Sequence, residues 1–140
     1  MKVQPYLNFD GRCDEAIAFY RKALGAEVTM IMRYKDAPKP DASSPCPAVD
    51  PSKANLVMHS TLQIGDSTIS ASDGHGEGKP SFKGIALTLT VNDEQKAQKA
   101  FAALSDGGQV QMPLTKTFFS PAFGMLADRF GVGWMILVGQ

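Results

Sequence analysis

The chain has 140 residues, 44% of them hydrophobic and 20% charged, with 14 Lys and Arg balancing 14 Asp and Glu. That length suits one domain with a real core, and zero net charge leaves no electrostatic footprint for nucleic acid or an anionic membrane. No apolar run reaches the length of a membrane span and Met1-Lys2-Val3-Gln4-Pro5 lacks a signal-peptide stretch, so a cytoplasmic protein is expected.

Val3 to Phe9 alternates, with Val3, Pro5, Leu7 and Phe9 on one face and Gln4, Tyr6 and Asn8 on the other, which predicts a half-buried strand. Pro5 has no N–H to give a ladder, so one edge is expected to be open there. Cys13 to Leu24 reads as a helix whose Ala16, Ile17, Phe19, Tyr20, Ala23 and Leu24 form one apolar stripe. Asp14 and Glu15 suit the positive end of its dipole and Gly25 its stop. Glu27 to Tyr34 predicts a second strand.

Lys35 to Asn55 has no period and carries Pro38, Pro40, Pro45, Pro47 and Pro51. A loop this long inside a compact domain is a lid, a partner-binding segment or a disordered excursion, and the sequence leaves the three open. Leu56 to Ile64 alternates again, setting Leu56, Met58, Leu62 and Ile64 against Val57, His59, Thr61 and Gln63. Gly65-Asp66 is a two-residue hairpin turn leading into a strand from Thr68 to Ser72. Asp73 to Ser81 is a polar, glycine-rich linker.

The pattern then restarts. Ile85 to Val91 predicts a strand, Asp93 to Ser105 a helix with Ala97, Ala100, Phe101 and Leu104 on one face, and Val110 to Thr115, Gly124 to Asp128 and Trp134 to Val138 three more strands. Val3 maps to Ile85, Leu7 to Leu89, Phe19 to Phe101 and Gly25 to Gly107, each 82 residues on. A duplicated βαβββ unit follows, one copy over about 1–75 and the other over about 82–140, within a single domain. Helices on one face of each unit would leave the opposite face of the sheet without a helix.

Pro5-Tyr6-Leu7-Asn8-Phe9-Asp10-Gly11, Phe19-Tyr20, Leu24-Gly25, His59, Leu62-Gln63-Ile64-Gly65-Asp66, Asp73, Met112-Pro113, Phe118-Phe119, Phe123-Gly124, Asp128-Arg129-Phe130-Gly131 and Trp134 together resemble the PhnB-like members of the glyoxalase/bleomycin-resistance/dioxygenase (vicinal oxygen chelate) superfamily. The resemblance spans nearly the whole chain. It implies an α+β fold in which two βαβββ modules form a curved eight-stranded mixed sheet around a cleft, helices outside, within a homodimer. Members of this group often carry a demethylubiquinone methyltransferase label, yet no strand-loop-helix here has the glycine fingerprint of a nucleotide seat, and no cofactor is expected.

In metal-using members the ligands project from the first and last strands of each module. Carried over, those positions fall on Gln4, on Ala86 and on Met135, with a residue near Ser72 or Asp73 completing the set. Alanine has no donor atom, and a thioether is a poor ligand for hard divalent ions. No metal ligand is therefore assigned. Asp73-Gly74-His75-Gly76-Glu77 packs three potential ligands together but equally describes a solvated linker. Cys13 and Cys46 show no metal-ligand spacing and read as free thiols.

Tyr6, Thr61, Ser70, Ser72, Thr88 and Thr90 fall on the faces expected to line the cleft. His59 is either a functional base or anchor, or a histidine satisfied by hydroxyls such as Thr61 or Ser70. Phe118 and Phe119 are either pocket lining or core. The expected ligand-binding set is Gln4, Tyr6, His59, Thr61, Ser72, Thr88, Phe118 and Met135, with no catalytic residue assigned. The leading expectation is a metal-independent binder of a small organic molecule. The alternative is a lyase-, isomerase- or dioxygenase-type enzyme with a non-standard metal or acid–base site around His59 and Asp73 or Gln4. A third reading makes the Pro-rich loop the working surface of a dimeric interaction module.

Overall fold

The computed structural model describes residues 1–37, 50–74 and 79–139. The chain divides into two compact units, Met1–Lys79 and Pro80–Gln140. The first runs β1 (Tyr6–Asn8), α1 (Cys13–Leu24), β2 (Glu27–Arg33), β3 (Val57–Ile64) and β4 (Ser67–Ser72). The second repeats it as β5 (Ala86–Val91), α2 (Glu94–Ser105), β6 (Gln109–Thr115), β7 (Phe123–Ala127) and β8 (Gly133–Val138). The α+β architecture of two βαβββ modules is as expected, and its eight strands form two four-stranded mixed sheets, ordered β1-β4-β3-β2 and β5-β8-β7-β6. In each, the first strand pairs parallel with the last and the other neighbours are antiparallel.

The duplication is visible in detail. Gly25 and Gly107, 82 residues apart, both end a helical segment at positive φ (67° and 79°), a conformation that costs residues with a Cβ. Edge strands β2 and β6 break register at matching places, between Val28 and Met30 and between Val110 and Met112. Such irregularities twist an exposed edge away from pairing with another chain.

In the first module α1 buries Cys13, Ala16, Ile17, Phe19 and Tyr20 on the same side as Leu7, Phe9, Leu62, Ile69 and Ala71, all nearly solvent-free. Ala23 and Leu24, expected in that stripe, are half-buried. Each fully buried aliphatic side chain contributes about 1.5–3 kcal/mol. Ser60 is the polar exception, and it is satisfied because its hydroxyl donates to the Ala71 carbonyl at 2.7 Å. In the second module Ala97 and Leu104 of α2 are buried, as are Leu126, Trp134, Ile136 and Val138 of β7 and β8.

Two local expectations are corrected and one open alternative is decided. The first strand starts at Tyr6 instead of Val3, because Pro5 offers no N–H; its carbonyl still accepts from Ser70 N–H at 3.0 Å. Val57, assigned to the His59 face, is fully buried. Met32 pairs with His59 but Arg33 with Val57, so Met58 is an extra residue that turns Val57 inward. Phe118 is not core, being 98% exposed. Pro38, Pro40, Pro45, Cys46 and Pro47 lie outside the described residues, as do His75 and Glu77.

Candidate functional site

Strand alternation puts Tyr6, Ser70, Thr61 and Met30 in one cross-strand row on the helix-free face of the first module, since Tyr6 pairs with Ser70, Ser70 with Thr61 and Thr61 with Met30. The neighbouring row holds Asn8 paired with Ser72, and His59 paired with Met32. Tyr6 and His59 are separated by β4 in the sheet, yet their side chains meet over it. The Tyr6 Oη lies 3.1 Å from His59 Nδ1, and the rings stack at 5.5 Å between centroids with 26° between planes. Tyr6 is 54% exposed. The histidine is thus bonded by a tyrosine from a different strand, not by the Thr61 or Ser70 hydroxyls that sequence suggested.

Tyr34 was missed by the sequence reading. It stands just beyond β2, half-buried, and its hydroxyl donates to the Gly74 carbonyl at 2.9 Å. Burial, then the proximity of Tyr6 and Asp73, pushes its phenol above the ordinary value, so it stays a protonated donor. The only sequence signal for it was its position at the foot of the Pro-rich segment.

Asp73 has a different job from the one considered for it. It is 1% exposed, and its Oδ1 accepts from Gly11 N–H (3.0 Å) and Cys13 N–H (2.7 Å) while Oδ2 accepts from Val57 N–H (2.7 Å). This one carboxylate caps α1, whose own N-cap residue Arg12 makes no side-chain cap, and pins the start of β3 two residues ahead of His59. Both oxygens are thus committed to backbone N–H groups, a structural role that the sequence reading did not assign to it. Asp128 plays a similar part in the second module: Oδ1 accepts from the Phe130 and Val132 N–H groups, and Oδ2 from the Trp134 indole at 3.0 Å.

Cys13 carries no reactivity. Burial first, then the Asp73 charge, pushes its thiol up to about 12, so no thiolate forms near neutral pH.

The second module's helix-free face has the same geometry and other chemistry. Thr88 pairs with Met135, Met135 with Met125 and Met125 with Met112. In the next row Thr90 pairs with Leu137 and Leu137 with Phe123. By register Thr88 stands where Tyr6 does, Met135 where Ser70 does, Met125 where Thr61 does and Phe123 where His59 does. Phe119 packs edge-on against Phe123 (5.0 Å) and Phe118 against Phe119 (5.1 Å). The loop carrying them is tied to β8 through Ser120, whose buried hydroxyl accepts from Val138 N–H at 3.1 Å.

The structure therefore brings Tyr6 and His59 together, with Thr61 beside them on the same face. Ser72 is on that face but only 5% exposed. Gln4 is exposed and precedes β1. Thr88 and Met135 are cross-strand partners on the second face, and Phe118 is at the tip of its aromatic row. At the positions where the superfamily's metal-using members hold ligands, Ala86 and Met135 share a helix-free face and Gln4 sits outside the ladder. An aliphatic methyl, a thioether and one amide do not fit a site for a hard divalent ion. Among the described residues no three His, Cys, Asp or Glu side chains come together.

Comparison with known proteins places this arrangement among relatives. Residues 1–137 match the family described as 3-demethylubiquinone-9 3-methyltransferase. The chain is 34% identical over 140 residues to Protein YjdN of Escherichia coli (strain K12), covering 99% of this chain and 95% of that one. It is similar to the crystal structure of protein PA1353 from Pseudomonas aeruginosa, with 35% identity, a TM-score of 0.82 and coverage of 100% and 98%. The PhnB protein from Bacillus cereus matches with 26% identity, a TM-score of 0.76 and coverage of 99% and 100%. A glyoxylase/bleomycin resistance protein/dioxygenase domain from Frankia sp. EAN1pec shares the fold at 12% identity, with a TM-score of 0.67 over 99% of this chain and 94% of that one.

Proposed function

Because this chain belongs to the family described as 3-demethylubiquinone-9 3-methyltransferase, PhnB-like and built on the glyoxalase fold, we propose that it binds a small organic molecule on its helix-free sheet faces without a catalytic metal. The observation that carries this reading is the Tyr6–His59 pair. It sets an imidazole and a phenol, hydrogen-bonded to each other and accessible, among hydroxyls and methionines on a face that no helix covers. Sites that bind small molecules combine bulk apolar lining with a few such polar anchors. Gln4, Thr61 and Ser72 are proposed as their neighbours, and Thr88, Met135 and Phe118 as lining of the second face.

The family description names methyl transfer, for which a nucleotide-like methyl donor needs N–H groups at a strand-to-helix turn. Here the N-terminus of α1 is filled by the Asp73 carboxylate and that of α2 by Asp93, whose side chain accepts from Lys96 N–H at 2.7 Å. Neither turn has that seat to offer, which favours binding over methyl transfer. The rival enzyme reading, with His59 and Asp73 or Gln4 in a non-standard metal or acid–base site, is weakened in its Asp73 form, because Asp73 accepts from three backbone N–H groups.

A second copy of the chain is the proposed partner. Val3, Ile85 and Phe118 are 93%, 70% and 98% exposed, apolar area that a homodimer would cover. No helix among the described residues is long and apolar enough to cross a membrane, and the cytoplasm is the proposed compartment. Screening a library of small ring compounds by side-chain NMR, on protein purified without chelator and assayed for metal, tests the reading. Shifts concentrated on the proposed ligand-binding side chains, Tyr6, His59 and Thr61 foremost, in protein with no stoichiometric divalent ion, are expected. A stoichiometric ion whose removal abolishes binding would overturn it.

A further inference from the structure

We infer that the first module's helix-free face selects an uncharged ligand that presents a hydrogen-bond donor and an acceptor side by side, as a lactam or a primary amide does. This rests on the proposal that the face binds a small molecule, and it follows from the hydrogen bond between Tyr6 and His59.

The 3.1 Å contact between Tyr6 Oη and His59 Nδ1 has two directions. When the phenol donates, the imidazole proton is on Nε2, which points a donor outward while the phenol oxygen keeps a lone pair. When Nδ1 donates, Nε2 becomes an acceptor and the phenol O–H is released to donate outward. In both arrangements of the neutral pair one donor and one acceptor are left unused by the pair. His59 Nε2 has no partner among the described residues. A ligand that complements the pair must therefore carry one of each. Changing the imidazole tautomer from Nε2–H to Nδ1–H, with the phenol O–H turned away from the ring, lets the neutral pair meet either order of the two groups.

The described strand rows around the pair favour an uncharged ligand. The row of Tyr6, Ser70, Thr61 and Met30 and the row of Asn8, Ser72, His59 and Met32 contain no Asp, Glu, Lys or Arg. Glu27 stands one row further on, paired with Gln63. An anion would lose its hydration and find no cation, and a cation would find no carboxylate at the pair. The stacked, half-exposed tyrosine adds a flat surface suited to a planar ring.

Three quinoline probes separate the possibilities when titrated into the full chain and followed on the His59 ring nitrogens by NMR: 2-quinolone, N-methyl-2-quinolone and quinoline-2-carboxylate. The lactam is expected to bind at least about tenfold more tightly than its N-methyl form, which leaves one outward group unpaired. The carboxylate is expected to bind no better than the N-methyl form. Tyr6→Phe, followed on the His59 nitrogens, and His59→Phe, followed on the Tyr6 ring and Thr61 methyl signals, should each erase the difference between lactam and N-methyl lactam while thermal melting stays unchanged, since both side chains lie off the core. Equal affinity for the two lactams, or a preference for the carboxylate, would overturn the inference and leave binding on this face intact. If none of the probes moves the His59 signals, the binding proposal falls and this inference with it.

Discussion

Single side chains decide more of this fold than their number suggests, and Asp73 is the clearest case. A buried carboxylate that accepts three backbone N–H groups ties the β1–α1 turn, the first turn of α1 and the start of β3 to the end of β4. Asp73→Asn keeps the shape but replaces one acceptor oxygen by an NH2 that faces a donor. The loss of charge assistance and one unpaired N–H should cost about 2–3 kcal/mol, read as a lower urea midpoint with unchanged slope. The first module's exposed ion pair is a smaller matter. Arg33 grips Asp14 through two nitrogens at 2.8 and 2.9 Å, and that bond holds the Asp14 carboxyl below its ordinary value of 3.8. A depressed carboxyl contributes stability that is present above the unfolded value and lost as pH falls through the folded one. Arg33→Met should therefore cost less than about 1 kcal/mol at pH 7, discounted because Asp14 is 59% exposed. The mutant and wild-type melting curves should converge below about pH 4.

At the scale of elements, apolar periodicity was enough to find both helices, all eight strands and their 82-residue repeat, even for β2, β5 and β6, which bury no residue. What it could not show was whatever depends on pairing between distant segments. The extra residue at Met58 reverses Val57 and leaves no trace in the alternation of its own strand. Tyr6 and His59 both appeared among expected site residues, yet their bond needs the order β1-β4-β3, which a strand's own sequence does not contain. Phe118 is a case that sequence leaves open between pocket lining and core; its exposure excludes core, and the loop is anchored through Ser120 instead. Helix-to-sheet spacing supplies a prediction of its own. A Cβ on Gly124 would sit 2.7 Å from the Phe101 ring and 3.1 Å from the Met112 carbonyl oxygen, so α2 approaches β7 as closely as a hydrogen permits. Gly124→Ala should destabilise by about 1–3 kcal/mol, measured by thermal unfolding, with Phe101→Leu partly relieving it in the double mutant.

Across the whole molecule, one scaffold is used twice with different surfaces. Tyr6, Ser70, Thr61 and His59 in the first module correspond to Thr88, Met135, Met125 and Phe123 in the second, so duplication kept the ladder and exchanged polar anchors for thioethers and a ring. The same exchange removes the chemistry of a hard-metal site, because Ala86 and Met135 offer no nitrogen or oxygen donor. This makes metal removal a decisive measurement. An ion held by the native protein at a hundred times its dissociation constant stabilises the fold by about 2.7 kcal/mol through mass action alone. In a chain of this size that is a melting shift of several degrees, on the order of 5–15 °C. Dialysis against a chelator is expected to move the melting temperature by less than about 1 °C, and re-addition of Mn2+, Ni2+ or Zn2+ at moderate excess to leave it there. A saturable rise with any of these ions, lost in His59→Phe, would instead mean that His59 Nε2 completes a coordination shell with donors this reading does not assign, and the anchor would have to be reinterpreted as a ligand.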